Sequence, residues 1–470
     1  MKVLLINPPF ENMVMTNTPS IVDEEQGFFP PLGIMYVASY AEKETEHKIG
    51  ILDTQVEQLN YTQIEHEIKK RSPDIVGITT MTFSLIDSIL TAKVVKKVDD
   101  NIKVIVGGPQ VGIYPEETID FPEVDYLILN EGEITFTELL QNIDDKDKLK
   151  NVKGLVFKDN GNIVKTELRE FIKDLDALPF PARHLTAYKK YRSLLAKESI
   201  VTTMITSRGC PYKCIFCNRP HLGKKFRARS AINVVDEMEE CVEMGINEIA
   251  VYDDTFTLNR QRAIDICNEI LGRGLKIRWD IRTRIDAIDK ELLSKLKEAG
   301  CDRIHYGIEA GTPEILKVLK KGITLEQARN AIKWSKEIGI STLAYFMIGS
   351  PQESREQITE TINFAKKLDP DFAHFSITTP FPATELYTMG LETGVIKNDC
   401  WRDFAKNPST EFQSPYCEGN LSREELIELL NFAYKRFYVR PKYIFRSISK
   451  VRSLGEFRKK AKAGLKVVKM

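Results

Sequence analysis

The chain has 470 residues, of which 42% are hydrophobic and 29% are charged, and its 67 basic residues balance 67 acidic ones. This length predicts two or three domains, and the composition excludes a disordered or collagen-like chain. The longest apolar runs, at residues 3–6 and 75–78, are far shorter than the roughly 18 residues that span a membrane as a helix.

The first part of the chain alternates strand and helix patterns, which is typical of a parallel sheet covered by helices. Strands are predicted at residues 3–7, 48–53, 74–80, 103–107 and 126–129, and helices at residues 32–43, 61–71, 84–98 and 135–141. The sequence therefore predicts an α/β domain with a doubly wound, Rossmann-like fold at residues 1–145.

The predicted strands of this domain end in polar or glycine-rich sequences. Ligands of doubly wound sheets bind at the carboxyl ends of the strands, where glycine lets the backbone come close. The candidate ligand-binding residues at these ends are Asn7, Pro8, Thr79, Thr80, Gly107, Gly108, Pro109, Gln110, Glu131, Gly132 and Glu133. The pattern predicts a binding site along this edge but does not identify the ligand.

A connector is predicted at residues 146–199, with a hairpin turn at residues 157–161. A second series of strands follows at residues 201–207, 248–252, 276–281, 303–308, 342–348 and 372–378, with helices at residues 231–244, 260–273, 290–299, 313–320, 325–338 and 354–368. Six βα units in succession predict a closed or partial (β/α)6 barrel at residues 200–392. Residues 393–470 are predicted to be helical.

Three of the eight cysteines, Cys210, Cys214 and Cys217, directly follow the first predicted barrel strand. This crowding indicates metal ligation in a reducing compartment more than a disulfide framework. Three thiolates can hold three irons of a [4Fe–4S] cluster and leave the fourth iron open to chelate amino and carboxylate groups. The alternative is a zinc site, because His221 would complete a Cys3His set.

The spacing Cys-x3-Cys-x2-Cys, with an aromatic residue before the last cysteine, resembles the motif of the radical S-adenosylmethionine superfamily. The resemblance implies that a reduced cluster cleaves S-adenosylmethionine to a 5′-deoxyadenosyl radical, which abstracts hydrogen from an unactivated carbon. For a single arginine or acid at the other strand ends, a surface ion pair is the alternative. The residues that the resemblance assigns to S-adenosylmethionine are Phe216 beside the cluster, Asp253 and Asp254 at the amino group in place of the usual Gly-Gly-Glu, Arg282 and Arg284 at the carboxylate, Glu309 at the ribose, and Ile348 and Gly349 at the adenine.

A doubly wound domain ahead of such a barrel resembles the cobalamin-binding subclass of this superfamily, and the resemblance covers nearly the whole chain. Many cobalamin domains carry Asp-x-His-x-x-Gly after the first strand, but residues 7–12 read Asn-Pro-Pro-Phe-Glu-Asn, so bound cobalamin would lack an axial histidine. The resemblance implies a [4Fe–4S] cluster, S-adenosylmethionine and cobalamin as cofactors. It also implies cobalamin binding at the strand ends of the first domain and a reducing partner such as flavodoxin or ferredoxin.

The fate of the substrate radical stays open at this point. The leading hypothesis is radical methylation, in which methylcobalamin gives its methyl group to the carbon radical of the substrate. Oxidative ring formation or carbon–carbon coupling is the alternative within the subclass. A zinc-bound or redox-sensing binding module is the alternative outside it.

The end of the chain is strongly basic. Residues 435–470 carry 13 Lys or Arg and one acid, Glu456, so the rest of the chain has a net charge of −12, from 54 basic and 66 acidic residues. From residue 444 to residue 468, apolar residues recur every three or four positions, as in an amphipathic helix on an anionic membrane. Packing on the protein's own acidic surface is the alternative, and nucleic-acid binding is not expected, because no aromatic stacking platform accompanies the charge.

Two expectations about location and substrate follow. The N-terminus shows no signal-peptide pattern, so we expect a cytoplasmic protein, peripheral at the inner face of the membrane through its basic tail. A membrane-bound enzyme of this kind would act on a lipid or isoprenoid-like substrate.

Overall fold

The computed structural model describes residues 1–14, 27–193, 195–417, 419, 421–449, 464 and 467. The chain forms two α/β domains in sequence, followed by helices that pack on both. The α/β class, the doubly wound first domain and the partial barrel that the sequence predicted are confirmed.

The first domain is built on one sheet that is parallel over most of its width. Its strands are β1 (Lys2–Asn7), β2 (Lys48–Asp53), β3 (Ile75–Thr79), β4 (Lys103–Gly107), β5 (Tyr126–Ile128), β6 (Leu155–Asp159) and β7 (Asn162–Lys165). They lie in the order β2-β1-β3-β4-β5-β6-β7, and β1 to β5 pair in parallel. The order reverses between β1 and β3, and ligands of such sheets bind at the carboxyl ends beside this switch point.

Helices cover both faces of this sheet. They are α1 (Leu32–Glu44), α2 (Thr54–Glu57), α3 (Tyr61–Arg71), α4 (Leu85–Val98), α5 (Pro109–Ile113), α6 (Pro115–Ile119), α7 (Gly132–Asn142) and α8 (Lys146–Leu149). Leu4 and Ile6 belong to the core on one face, and Val3 and Leu5 to the core on the other. Burial on both faces explains why the strands read as continuous apolar runs.

The hairpin predicted at residues 157–161 is confirmed, but it belongs to the sheet of the first domain and not to a separate connector. Its turn residues Asn160 and Gly161 have φ of 49° and 82°, as a two-residue hairpin turn requires. β6 pairs antiparallel with β5, so the sheet of the first domain extends beyond residue 145, where the sequence placed its end. The hairpin covers an edge of β5 that would otherwise expose unpaired backbone groups.

The second domain is a partial barrel of six parallel strands with a small ribbon at its mouth. Its strands are β8 (Val201–Met204), β9 (Ser207–Arg208), β10 (Arg227–Ala228), β11 (Glu248–Val251), β12 (Arg278–Thr283), β13 (Cys301–Glu309), β14 (Ser341–Ile348) and β15 (Phe372–Ile377). The main sheet has the order β15-β14-β13-β12-β11-β8, and β9 and β10 form the ribbon. The helices of this domain are α9 (Ala231–Glu243), α10 (Arg260–Gly272), α11 (Lys290–Glu298), α12 (Pro313–Val318), α13 (Leu325–Ile338) and α14 (Arg355–Leu368).

The C-terminal region joins both domains. Its helices are α15 (Glu385–Glu392), α16 (Cys400–Lys406), α17 (Arg423–Tyr438) and α18 (Pro441–Ser449). Trp401 of α16 is fully buried in the same core as Tyr114 and Ile119 of the first domain. The segment after the barrel therefore returns to the first domain and closes the molecule.

Helix α17 covers the edge strand β15. The hydroxyl of Tyr434 accepts from the N–H and donates to the C=O of Phe375, and Tyr438 does the same for Ala373. Four side-chain hydrogen bonds thus replace the strand that is missing at this edge.

Among the described residues, no helix is both long enough and apolar enough to cross a membrane. Apart from residues 464 and 467, the predicted amphipathic tail beyond residue 449 lies outside the described residues.

Candidate functional site

The loop that carries the predicted cluster cysteines begins directly after β9. Gly209 opens it with φ of 83°, and a Cβ at this position would lie 2.3 Å from the carbonyl oxygen of Lys225. Only glycine fits so closely packed a left-handed position. Ile215 anchors the middle of the loop, because it is buried and its backbone bonds the carbonyl of Leu319 and the N–H of Leu386. The backbone therefore holds the loop in one conformation.

The cysteines of this loop are accessible. Cys210 and Cys214 are partly exposed and Cys217 is exposed, whereas the cysteines on α9, α10 and β13 are buried. Accessible thiolates are the ligands that an iron–sulfur cluster needs. His221, the fourth ligand of the zinc alternative, is partly buried, and burial lowers its pKa to about 4. No group of three or more His, Cys, Asp or Glu side chains that could hold a metal ion occurs in the described part of the chain.

Two cationic side chains border the cysteine loop. Nη1 of Arg284 lies 4.0 Å from Sγ of Cys214, and its guanidinium lies 3.7 Å from the centre of the Tyr212 ring. Arg284 also donates to the carbonyl of Lys321 at 2.7 Å. Burial raises the pKa of the Cys214 thiol, while Lys321 and Arg284 lower it. The cations therefore favour the thiolate form of Cys214, which is the form that ligates metals.

Glu309, predicted at the ribose, forms a buried ion pair with Lys321, with 2.8 Å between Oε1 and Nζ. The Lys321 ammonium also lies 5.9 Å from the centre of the Phe216 ring. Glu309 has φ of 72°, a rare value outside glycine, at an irregularity in the pairing of β13 with β14. The structure thus brings Phe216, Arg284 and Glu309 together beside the cysteines, and it adds Lys321, which the sequence analysis missed.

Both acids that follow β11 are engaged by neighbouring side chains. Asp253 is 1% exposed and accepts four hydrogen bonds from the N–H groups and hydroxyls of Thr206 and Ser207. These bonds use both carboxylate oxygens, so Asp253 orients the segment before the cysteine loop. Its contact with the methionine amino group stays a prediction. Asp254 forms an ion pair with Arg219 at 2.6 Å, and burial raises its pKa although Arg219 lowers it.

The remaining residues predicted for S-adenosylmethionine lie at the same end of the barrel. The guanidinium of Arg282 lies 3.6 Å from the centre of the Tyr252 ring, which fixes its orientation. Ile348 is fully buried at the end of β14. Gly349 has φ of 74°, and a Cβ there would lie 2.9 Å from the side chain of Leu426. The left-handed backbone of this turn and its contact with Leu426 favour glycine, and the place of Gly349 at the adenine stays a prediction.

A polar wall inside the barrel was missed from the sequence. It consists of Asp280, His305, Tyr345 and His374, one on each of the strands β12 to β15. The Tyr345 hydroxyl lies 3.0 Å from Nδ1 of His305, whose Nε2 lies 3.7 Å from Oδ1 of Asp280. The Tyr345 and His374 rings are 5.5 Å apart, and burial lowers the pKa of His374 to about 4, so this imidazole is neutral at pH 7. The alternation of polar and apolar residues along these strands was the signal that could have revealed the wall.

At the ligand-binding edge of the first domain, the backbone is closely packed around a glycine. Gly108 has φ of 113°, and a Cβ there would lie 2.4 Å from the carbonyl oxygen of Thr80. Gln110 is fully buried, yet neither polar atom of its amide has a hydrogen-bond partner within the described chain. A buried amide of this kind is costly unless a ligand satisfies it. Cobalamin carries amide groups around its ring, so this edge fits that cofactor.

The other predicted cobalamin residues lie at the ends of β1, β3 and β4 and at the start of α7. Asn7 donates to Asp53 at 2.8 Å, and the N–H of Thr80 donates to the carbonyl of Gly107 at 2.7 Å. Pro8 follows Asn7, and Thr79 precedes Thr80. Pro109 follows Gly108 at the start of α5, and Gly132 opens α7. A cavity of about 650 Å³ opens after β1, lined in part by Asn12 and Arg423. Its size is within the range of ligand sites.

Glu131 and Glu133, predicted at cobalamin, contact arginines of the second domain. Oε1 of Glu131 accepts from Arg208 at 2.8 Å and from Arg227 at 2.9 Å, and Glu133 accepts from Arg208 at 2.6 Å. All four side chains are at most 7% exposed. Burial lowers the pKa of Arg208, but Glu133 and Glu131 raise it above its ordinary value. Two of the predicted ligand residues thus form a buried ion-pair network between the domains.

Comparisons with known proteins agree with this two-domain site. Residues 204–365 match the Radical SAM superfamily, and residues 20–140 match the B12 binding domain. An uncharacterized methyltransferase of Pyrococcus horikoshii, PH0819, is 37% identical over 452 residues, which cover 95% of each chain. The anaerobic magnesium-protoporphyrin IX monomethyl ester cyclase of Rubrivivax gelatinosus is 28% identical, over 94% of this chain and 78% of that protein.

Two solved structures share the fold. OxsB, a cobalamin-dependent S-adenosylmethionine radical enzyme with aqua-cobalamin and S-adenosylmethionine bound, has a TM-score of 0.76 and 20% identity, over 99% of this chain and 72% of that chain. The radical S-adenosylmethionine methyltransferase TsrM from Kitasatospora setae, with cobalamin and a [4Fe–4S] cluster, has a TM-score of 0.71 and 18% identity, over 94% of this chain and 89% of that chain.

The chain therefore belongs to the radical S-adenosylmethionine enzymes that carry a cobalamin-binding domain. The match at residues 204–365 includes all three cysteines of the loop, which makes the protein an enzyme of this class and removes the zinc or redox-sensing alternative. The cofactors predicted from the sequence, a [4Fe–4S] cluster, S-adenosylmethionine and cobalamin, are confirmed at the level of the family.

Replacing Gly209 by alanine is expected to disrupt the cysteine loop. The added Cβ meets the Lys225 carbonyl at 2.3 Å, and the left-handed backbone becomes strained. We expect iron content after anoxic reconstitution to fall by at least about half, as measured by iron and sulfide analysis. Gly245→Ala is the matched control, because Gly245 has φ of 81° and no atom lies within 4 Å of the position that its Cβ would take. Equal iron content in the two variants would contradict the role of the close contact.

Replacing Glu353 by glutamine is expected to stabilise the protein at alkaline pH. Burial raises the pKa of Glu353 to about 7 from 4.5, although the N–H groups of Ser350 and Gly349 lower it. The folded protein thus keeps a proton that the unfolded chain loses, so stability is present below pH 4.5 and is lost as the pH rises through 7. The variant should gain up to about 3 kcal/mol near pH 8 and much less near pH 5.

Thermal unfolding of wild type and variant at the two pH values measures this difference. Glu356→Gln serves as the control, because Glu356 lies in the exposed first turn of α14 and its pKa is not raised. A gain that is the same at both pH values would show that the Glu353 carboxyl does not titrate as expected.

Proposed function

We propose that the protein is a cobalamin-dependent radical enzyme that methylates an unactivated carbon of its substrate. The observation that carries this proposal is the direct junction of the cysteine loop with the strand-end edge of the first domain, through Arg208 and Arg227. An enzyme that uses both cofactors in one reaction needs these two edges to face each other. The similarity to a named methyltransferase along 95% of both chains supports methyl transfer.

The residues present suit each part of the site. Cys210, Cys214 and Cys217 would hold the cluster, with Arg284 and Lys321 favouring the ionised form of Cys214. When bound, the cluster supplies an electron that cleaves S-adenosylmethionine, and cobalamin carries the methyl group. A reducing partner such as flavodoxin or ferredoxin would deliver the electron.

The chain's own side chains bind and orient the reactants. Glu309 and Gly349, at the ends of β13 and β14, would contact the ribose and adenine, and Arg282 would bind the carboxylate of the methionine part. The orphaned amide of Gln110 would bind an amide of cobalamin. His305, Tyr345 and His374 would line the substrate cavity, and their closely packed rings would exclude water from the reacting carbon.

Oxidative ring formation is the second candidate reaction. The similarity to a cyclase over 94% of this chain favours it, and both reactions begin with abstraction of a hydrogen atom. They differ in product mass, since methylation adds a methyl group and ring formation removes hydrogen.

Isotope labelling tests the proposed function and separates the two reactions. The anoxically reconstituted enzyme is incubated with cell extract, a reductant and S-adenosylmethionine that carries a CD3 group. We expect a product that is heavier by one CD3 group in place of one hydrogen, together with 5′-deoxyadenosine, from a protein with about four irons. Cys214→Ala should abolish both products, whereas Cys267→Ala, in the core of α10, should keep them. A product that only loses hydrogen would favour cyclisation.

We further propose that the end of the chain contacts an anionic membrane and that the substrate is lipid-like. Basic residues dock helix α18, since Lys442 and Arg446 of the helix and Arg440 just before it all pair with Asp369. The same helix leaves apolar side chains in solvent, with Phe445 78% exposed. The helix thus packs on the protein through Asp369 and also presents an apolar face to solvent. Such a face suits the interface of a bilayer.

A vesicle-binding experiment tests this contact. Replacing Ile444, Phe445 and Ile448 by serine should reduce co-sedimentation with vesicles that contain anionic lipid by about tenfold, because buried apolar area contributes to binding together with charge. Phe432→Ser, at another exposed apolar position of the C-terminal helices, is the control. Binding that is unchanged in the triple variant, or absent in the wild type, would refute the proposal.

A further inference from the structure

We infer that Glu131 and Glu133 are positioning residues that fix the cysteine loop of the barrel against the ligand-binding edge of the first domain. They would thereby set the separation between the cluster site and the cobalamin site. This inference rests on the proposed function, because it assigns a purpose to the distance between two cofactors. It replaces the direct role at cobalamin that the sequence suggested for both residues.

The two acids hold both ends of the cysteine loop. Arg208 lies on β9, just before Cys210, and Arg227 lies on β10, just after the loop. The two arginines face each other in the antiparallel register of the ribbon, so one carboxylate, Glu131, can bond both. Any movement of the loop as a whole must therefore break bonds to the first domain.

The arginines are held on their other sides as well. The Arg208 guanidinium lies 5.2 Å from the centre of the Tyr36 ring, and that of Arg227 lies 5.0 Å from the Phe171 ring. The second oxygen of Glu131 accepts from the N–H of Ile172 at 2.7 Å. Aromatic contacts and hydrogen bonds on several sides leave the planar guanidinium groups one orientation.

The base of the network is rigid. Glu131 directly precedes α7, and Glu133 lies in its first turn, where the helix dipole stabilises negative charge. Helix α7 packs against α1 and on the sheet, and Phe136 and Leu139 of α7 belong to that core. The position of the two carboxylates is therefore fixed by the same sheet whose strand ends form the proposed cobalamin site.

A network that positions the two sites affects reaction rates in a different way from one that only holds the domains together. A shift of about 1 Å between reacting groups can reduce a rate by about a hundredfold, even where binding is kept. A reaction that needs both the cluster site and the cobalamin site should therefore slow more when the network is weakened than a reaction that needs only one of them. This difference separates a positioning role from a structural role and from a direct contact with cobalamin.

The experiment compares Glu133→Gln and the conservative Arg208→Lys with wild type, all loaded anoxically with cluster and cobalamin. Glu138→Gln is the matched control, because Glu138 lies on the same helix and pairs with Arg169 at the surface. The probe is S-adenosylmethionine alone. The readouts are iron and cobalamin content, 5′-deoxyadenosine formed with reductant, and the rate at which S-adenosylmethionine changes the visible spectrum of reduced, bound cobalamin. Deuterium uptake of residues 205–228 is measured in parallel, with and without cofactors.

We expect both variants to keep their iron, their cobalamin and 5′-deoxyadenosine formation within about twofold of wild type. The spectral change of cobalamin, which requires both sites, should slow on the order of tenfold or more. Deuterium uptake of residues 205–228 should rise in Glu133→Gln, rise less in Arg208→Lys and stay unchanged in Glu138→Gln.

Two results would overturn the inference. Parallel loss of all activities would assign the network a structural role, and loss of cobalamin with unchanged deuterium uptake would assign Glu133 a direct contact with the cofactor. If wild type takes up no cobalamin, the proposed function fails on its own. Deuterium uptake of the cofactor-free proteins then still decides whether the two acids fix the loop.

Discussion

Two buried carboxylates of the first domain hold the arginines on either side of the cysteine loop, and the proposed active site depends on this contact. Arg208 and Arg227 are nearly inaccessible to solvent, so each would be an uncompensated buried charge without Glu131 and Glu133. Removal of one partner from such a group commonly costs about 3–5 kcal/mol, so the network contributes to the stability of the domain arrangement. The cysteine loop and the strand-end edge of the first domain meet at this network.

A second buried network joins the segment between the domains to the barrel. Arg183, in the segment between the domains, donates to Glu237 of α9 at 2.5 Å, and Arg229 pairs with the other oxygen of Glu237. Tyr36 of α1 donates to the carbonyl of Ile205, just after β8. The segment predicted as a connector is therefore part of the core between the domains, and the first barrel strand is fixed before the chain reaches its cysteines.

The outward and inward side chains of the barrel strands have different roles. Along β13 to β15, side chains such as Ile304, Phe346 and Phe375 are fully buried among the helices, and the alternate positions carry the polar wall of the interior. The outward residues supply the apolar core. The inward residues are free to differ in chemistry, and the wall combines the neutral imidazole of His374 with the phenol of Tyr345 and the carboxylate of Asp280.

The sequence by itself determined the main elements, their order and the cysteine motif that resembles the family. Apolar periodicity is a local property, so the longer strands and helices of both domains were predicted to within a few residues, and β12 was placed only two residues early. The short helices α2, α5, α6 and α8 and the ribbon strand β10 were not predicted. The spacing of Cys210, Cys214 and Cys217 is also local, and its chemistry needs no knowledge of distant residues. The hairpin turn at Asn160 and Gly161 belongs to the same class of local features.

Only the tertiary structure decided which charges meet. Arg208 and Glu131 are 77 residues apart in the chain, and no periodic pattern links them, so Glu131 and Glu133 were assigned to a ligand from their place at a strand end. Asp253 was likewise assigned to S-adenosylmethionine, although Thr206 and Ser207 use both of its oxygens. A carboxylate at a strand end can bind a ligand, a backbone or an arginine, and the choice depends on what the fold brings within about 3 Å of it.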